Sequence, residues 1–170
     1  PVFKKYPNLV LDGELYNHEL KDDFEKIISL VRKTKPTQEH RDEAEKLVQY
    51  HIYDTISSMN FTYEKRLNKI TEIIAESTYS GLFLDCEILQ LSLTAYVNNF
   101  EEATKYHQKF LEDGYEGSIY RNINGIYKGT RSWDLMKFKD FHDAEATIIN
   151  YEVGKGKREG TLGKFIMQDG

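Results

Sequence analysis

The sequence predicts an α+β chain. Apolar runs of strand length, bounded by Asp, Asn and Gly, alternate with segments whose apolar residues recur every three to four positions. An aromatic share of 13% and only three prolines in 170 residues supply large rings for a core and leave regular elements uninterrupted. No apolar run approaches the ~20 residues that a membrane helix needs. The first residues, Pro1-Val2-Phe3-Lys4-Lys5, lack the apolar stretch of a signal peptide. Cys86 is the single cysteine, so neither an internal disulfide nor a thiolate metal cluster is expected, and a reducing cytoplasm is the expected location.

The elements follow in order. Asn8 to Tyr16 reads as a buried strand interrupted by Asp12-Gly13-Glu14. Leu20 to Lys33 places Leu20, Phe24, Ile27, Ile28 and Val31 at helical spacing, and Lys35-Pro36 closes it. Residues 37–46 are polar helix or loop before a second strand, Leu47 to Tyr53, ended by Asp54. A helix over Thr62 to Ser77 turns Leu67, Ile70, Ile73 and Ile74 to one face. Gly81 to Val97 holds one or two strands. Asn99 to Leu111 is a helix capped by Asn98 or Asn99 and stopped at Asp113-Gly114. Strands at Gly117 to Tyr120 and Trp133 to Phe138 come next. Ala144 to Val153 and Leu162 to Gln168 are strands around a basic glycine loop, Gly154 to Thr161, with a domain boundary expected near Asp140 to Asp143.

Net charge is −5, yet from Arg121 onward nine basic residues face seven acidic ones, leaving −7 on residues 1–120. A local basic strip can therefore bind phosphates despite the overall acidity. Several patterns are excluded. His18-Glu19 has no second histidine at the zinc-protease spacing, and Gly154 to Gly160 fits neither the dinucleotide fingerprint nor the P-loop. The five histidines show no convergent spacing in sequence, and Cys86 is expected to pack as a small apolar group.

Four segments remain that carry chemistry: Asp12-Gly13-Glu14-Leu15, Tyr53-Asp54, Glu116 to Arg121, and Lys137-Phe138-Lys139. Strand alternation puts Lys137 and Lys139 on one side of one strand, an arrangement suited to successive phosphate oxygens as well as to the wet face of an edge strand. Glu14 and Glu116, acidic exceptions on apolar strands, offer hard oxygen ligands for Mg²⁺. Tyr53 and Ile119 are suited to the two faces of a base.

This ordered set, DGEL, YD, EGSIYR and DLMKFK, resembles motifs III, IIIa, IV and V of the covalent nucleotidyltransferases, most closely the ATP-dependent DNA ligases. Ala144 to Gly163 resembles the passage from their adenylation domain into the first OB hairpin, a loop that RNA ligases and capping enzymes do not usually carry. The resemblance implies a ligase-type adenylation domain built on antiparallel sheets with flanking helices over residues 1–141, and the start of an OB-fold barrel over 142–170. It implies that Tyr53 stacks on adenine, that Ile119 covers its other face, and that Glu14 contacts the ribose or orders the metal site. Glu116 becomes the metal-linked carboxylate, and Lys137 and Lys139 the α-phosphate contacts. Arg121 and Arg131 are implied at nucleotide or DNA phosphate, and Lys155, Lys157 and Arg158 at the DNA backbone. ATP and Mg²⁺ are the implied cofactors. Nicked duplex DNA is the implied partner, in a bacterial or phage-infected cell.

One departure is large. The family attacks ATP with the lysine of a KxDG motif ahead of motif III, and none occurs here: Lys4 and Lys5 are followed by Tyr-Pro-Asn. The expectation is an internal fragment of a nick-sealing ligase, with its OB domain cut short, that does not self-adenylate. Two rival readings stand beside it: an RNA ligase or capping-type nucleotidyltransferase, and a non-catalytic nucleic-acid-binding module.

Overall fold

Residues 2–79, 88–140 and 145–168 are described in the computed structural model of this chain. Cys86 and the boundary expected between residues 141 and 142 lie outside them. The chain divides into two units, Pro1–Lys139 and Asp140–Gly170.

The first unit opens with a short helix α1 (Val2–Lys5), not foreseen from the sequence, followed by strand β1 (Leu11–Tyr16). The helix expected over Leu20 to Lys33 is divided. A 3₁₀ turn, His18–Leu20, is capped by Asn17, and helix α2 (Phe24–Val31) starts afresh because Asp23 accepts from the Lys26 amide. An Asp at that place satisfies an orphan N–H outside the helix better than inside it. Ile27 and Leu30 are the buried face of α2. The polar stretch forms helix α3 (Gln38–Leu47), which has no apolar stripe to announce it. A reciprocal cap between Thr37 and His40 starts it, and a Lys26–Glu43 ion pair of 2.6 Å ties it to α2.

Strand β2 (Gln49–Thr55) pairs antiparallel with β1, and β3 (Leu89–Leu91) adds parallel to its other edge, giving the order β1-β2-β3. Helix α4 (Tyr63–Tyr79) packs on β2, and Ile52 and Ile70 are fully buried. The buried face of α4 is Tyr63, Arg66, Ile70 and Ile73, so the helical spacing was legible while the charge on that face was not. The N–H groups of Tyr63 and Glu64, orphans at the start of α4, donate to the carbonyls of Gly125 and Ile123 at 2.9 and 3.1 Å.

Helix α5 (Phe100–Glu112) is capped by Asn99, whose side chain accepts from the Glu102 amide, and it ends at Asp113 and Gly114, the latter at φ +89°. It packs on a two-stranded antiparallel sheet of β4 (Gly117–Arg121) and β5 (Leu135–Lys139). The second unit is an antiparallel pair, β6 (Thr147–Val153) and β7 (Leu162–Gln168), with two register shifts. The loop between them contains a 3₁₀ turn, Gly156–Arg158.

Candidate active site

The β4–β5 register decides which side chains are available for chemistry. Ser118 pairs with Phe138 and Tyr120 with Met136, whereas Gly117 pairs with Lys139, Ile119 with Lys137 and Arg121 with Leu135. Directly opposed residues share a face, so the two sets point oppositely. Helix α5 covers the first. His107 Nδ1 lies 2.9 Å from Ser118 Oγ, the His107 and Phe138 rings are 4.3 Å apart, and the Tyr120 hydroxyl donates to the Ala103 carbonyl at 3.3 Å. The opposite face carries Lys137, Lys139 and Ile119, the last 50% exposed.

Glu116 immediately precedes β4 and accepts from the Lys139 ammonium. That bond, then the charges of Lys139 and Lys137, holds its carboxyl below the usual glutamate range. Gly117 allows the approach. At φ +153° its ideal Cβ would overlap the Phe138 carbonyl oxygen, so only glycine fits between Glu116 and the strand.

On the first sheet, Asp12 pairs with Asp54 but Gly13 pairs with Ile52, leaving Tyr53 as the extra residue of a bulge. A Cβ at Gly13 would lie 2.5 Å from the His51 carbonyl oxygen and 2.9 Å from the Tyr50 ring, so glycine again permits close pairing. The bulge places the half-buried Tyr53 ring 5.3 Å from the Arg121 guanidinium. Burial, then the charges of Asp12 and Glu14, pushes its phenol up. Glu14 is exposed and pairs across the ladder with His51.

Beneath this face lies a buried ionic network. Asp54 is fully buried and accepts from Arg66 Nε at 2.7 Å, Arg66 Nη2 at 3.0 Å, the Thr55 amide at 2.7 Å, and Arg121 Nη1. Arg66 also donates to the Gly125 carbonyl at 3.2 Å. The Arg121 guanidinium lies 4.8 Å from the Tyr63 ring, and that of Arg66 lies 5.7 Å from both Tyr63 and Tyr127. The Tyr127 hydroxyl donates to Asp12 Oδ2 at 2.9 Å, and burial together with that bond pushes its pKa up to about 12. These contacts tie β1, β2, α4 and β4 together around Tyr53.

The sequence-predicted residues thus fall into groups. Lys137, Lys139, Glu116 and Ile119 come together on one face, and Tyr53 and Arg121 are joined through a cation–π contact. The Arg121 guanidinium is engaged by Asp54 rather than turned out alone. Arg131 lies exposed on the loop that joins β4 to β5. Lys155, Lys157 and Arg158 are exposed at the 3₁₀ turn of the second unit. A cavity of ≈ 280 Å³ lined by Lys5, Tyr6, Ser57, Ser58 and Lys69 involves none of them. Sequence reasoning missed Arg66, Tyr63 and Tyr127. The available signal was an arginine in phase with Ile70 and Ile73, following a strand that ends in Asp54.

The described residues hold no group of three or more His, Cys, Asp or Glu arranged to take a metal ion. Magnesium commonly uses one or two carboxylates together with substrate phosphates, and the exposed, anionic Glu116 fits that mode.

A family model described as ATP dependent DNA ligase domain matches residues 2–139. A DNA ligase of African swine fever virus is 29% identical over 160 residues, covering 89% of this chain and 34% of that protein. The DNA ligase of phage T4 is 40% identical over 72 residues, covering 42% of this chain and 15% of that protein. The matched region is therefore about a third or less of these curated relatives. Among solved structures, a Lig E DNA ligase aligns at TM-score 0.71 and 23% identity, covering 93% of this chain and 57% of that chain. The Chlorella virus DNA ligase-adenylate aligns at TM-score 0.50 and 22% identity, covering 92% and 56%. These likenesses establish the α+β fold as that of DNA ligases. No helix among the described residues is long and apolar enough to cross a membrane.

Proposed function

This chain belongs to the ATP-dependent DNA ligase domain family, and from that premise we propose that it supplies the nucleotide pocket of an enzyme that seals nicks in duplex DNA. The observation that carries the proposal is the uncovered β4–β5 face. Lys137 and Lys139 project together there beside Ile119 and the anionic Glu116.

The ligase reaction has three displacements at phosphorus. A lysine amine attacks the α-phosphorus of ATP and expels pyrophosphate; the AMP passes to a 5′-phosphate; the 3′-hydroxyl then attacks that phosphate and expels AMP. No KxDG occurs in the 170 residues, so the attacking amine is not assigned within this chain. Its own residues bind and stabilise. Tyr53 stacks on the adenine and Ile119 closes on its other face. Lys137 and Lys139 meet the negative charge that builds on the α-phosphate, where a fixed cation is worth more in the transition state than in the ground state. For Lys139 to do so its ammonium must leave or share Glu116. Glu116 would help hold a magnesium ion, whose chemistry there would be neutralisation of phosphate charge. Glu14 contacts the ribose or orders the metal site, and Arg131 binds a nucleotide or DNA phosphate. Arg121 acts through Tyr53, holding the ring in place, as well as by its charge. Lys155, Lys157 and Arg158 contact the DNA backbone without regard to sequence, an attraction that weakens with salt.

The test is sealing of a nicked duplex by the full gene product, with a 5′-phosphate at the nick. ATP-dependent sealing that Lys137→Ala reduces by about 100-fold or more, without loss of folding, agrees with the proposal. Salt-sensitive DNA binding that ignores both ATP and Lys137→Ala would sink it.

A further inference from the structure

Two carboxylates of the candidate site sit on segments that no strand pairing joins: Glu14 on β1 and Glu116 on the turn before β4. A side-chain bridge joins them instead. His18 Nε2 lies 2.8 Å from the carbonyl oxygen of Asp113, and His18 Nδ1 lies 2.8 Å from the Tyr16 hydroxyl. A carbonyl only accepts, so Nε2 carries the proton and donates; in the neutral ring Nδ1 then accepts from Tyr16. Asp113 caps the C-terminus of α5, where the terminal carbonyls lack helical partners, and His18 satisfies one of them.

The bridge is packed as well as bonded. The His18 and Tyr115 rings are 4.6 Å apart, and Tyr16 lies 6.4 Å from Tyr115 and edge-on to His51 at 5.1 Å. Histidines dispersed in the sequence therefore converge around Tyr16. Asn17 holds the 3₁₀ turn that carries His18: it accepts from the Glu19 amide and donates to the Leu47 carbonyl, both at 2.9 Å.

We propose that His18 is a positioning residue: by clamping the Asp113 to Glu116 turn onto the end of β1, it sets the separation of Glu14 and Glu116 and so their joint hold on the magnesium-bound nucleotide. The inference rests on the ligase reading above. Glu14 is two residues before Tyr16, and Glu116 is three after Asp113, so each carboxylate is within a few residues of one end of the clamp. Without His18 the turn keeps Glu116 but loses the hydrogen bond that fixes it to the end of β1, leaving the Tyr16–Tyr115 ring contact between them.

The experiment uses the full gene product with three variants, His18→Ala, His18→Gln and Tyr16→Phe. Calorimetry gives ATP affinity as Mg²⁺ is varied, nick sealing gives the half-saturating Mg²⁺, and thermal unfolding controls for folding. His18→Ala is expected to raise the half-saturating Mg²⁺ in both measurements by about tenfold, the low end of what outer partners of metal ligands contribute. Sealing at saturating Mg²⁺ and the melting temperature should change little. His18→Gln, whose amide can donate to the Asp113 carbonyl, should recover most of the loss, and Tyr16→Phe should fall between. A His18→Ala protein whose Mg²⁺ dependence matches a working wild type would overturn this proposal alone. A wild type that neither binds magnesium ATP nor seals nicks would overturn the ligase reading and this proposal with it.

Discussion

Replacing Asp54 by alanine probes the network under the candidate site. Its carboxylate is fully buried, Arg66 is 3% exposed at its side chain and Arg121 13%, so the change leaves two guanidinium groups facing each other in a desolvated space. Removing one partner of a buried pair costs about 3–5 kcal/mol, because the remaining charge is neither paired nor hydrated. For a chain of this size each kcal/mol lowers the melting temperature by roughly 2–4 °C, so a fall of roughly 10 °C is expected. Thermal unfolding followed by far-ultraviolet circular dichroism measures that fall, and urea unfolding measures the loss of stability itself, with the midpoint moving and the slope unchanged. The double replacement Asp54→Leu with Arg66→Met should recover part of the loss, since apolar groups of similar volume often replace buried pairs at little cost. Arg121 keeps the recovery incomplete. A loss below about 1 kcal/mol for Asp54→Ala, the range of exposed ion pairs, would refute the reasoning.

Other consequences are equally accessible. Ile70→Ala, at a fully buried position, should cost about 2–5 kcal/mol in the same unfolding assay. Glu116 is held below the usual carboxylate range by Lys139, so its small contribution to stability is present above the unfolded glutamate pKa and is lost as pH falls through the folded value. A carboxyl carbon NMR titration should show the low midpoint, and Lys139→Ala should return it toward ~4.3. Tyr127 should ionise near pH 12, later than the exposed tyrosines, because burial and Asp12 favour its protonated form. The stability it contributes is full below the unfolded tyrosine pKa and is lost as pH rises through about 12, and absorbance at alkaline pH with Tyr127→Phe as reference identifies it. Gly117→Ala should displace the Glu116–Lys139 pair, seen as a rise of the Glu116 midpoint in the same titration.

What the sequence disclosed follows its local periodicities. A period of two put Lys137 and Lys139 on one face, and the β4–β5 register shows both there. A period near 3.6 located α4 and α5, and the cap of α5 was legible as Asn98 or Asn99, of which Asn99 accepts from the Glu102 amide. Helix α3 stayed ambiguous because it buries no apolar stripe and rests on caps and an ion pair. The division of the Leu20 to Lys33 helix turned on Asp23, a capping residue that the apolar spacing overruled. The network at Asp54 was hidden for a different reason. Its partners Arg66 and Arg121 are 12 and 67 residues away, and nothing local to Arg66 states that it points inward. The His18 bridge, which spans 95 residues to Asp113, was hidden in the same way. The parallel addition of β3 to β2 was also outside reach, since a three-residue strand has too few side chains to show an alternation.

The central claim is that these residues form the nucleotide pocket of an ATP-dependent nick-sealing ligase. Its most direct test is the intact mass of the full gene product after incubation with ATP and Mg²⁺, before and after addition of nicked duplex DNA. The account predicts a covalent AMP adduct that disappears when nicked DNA with a 5′-phosphate is added, and no adduct on residues 1–170 alone. A full product that stays unmodified by ATP, or that is labelled by GTP instead, would contradict it.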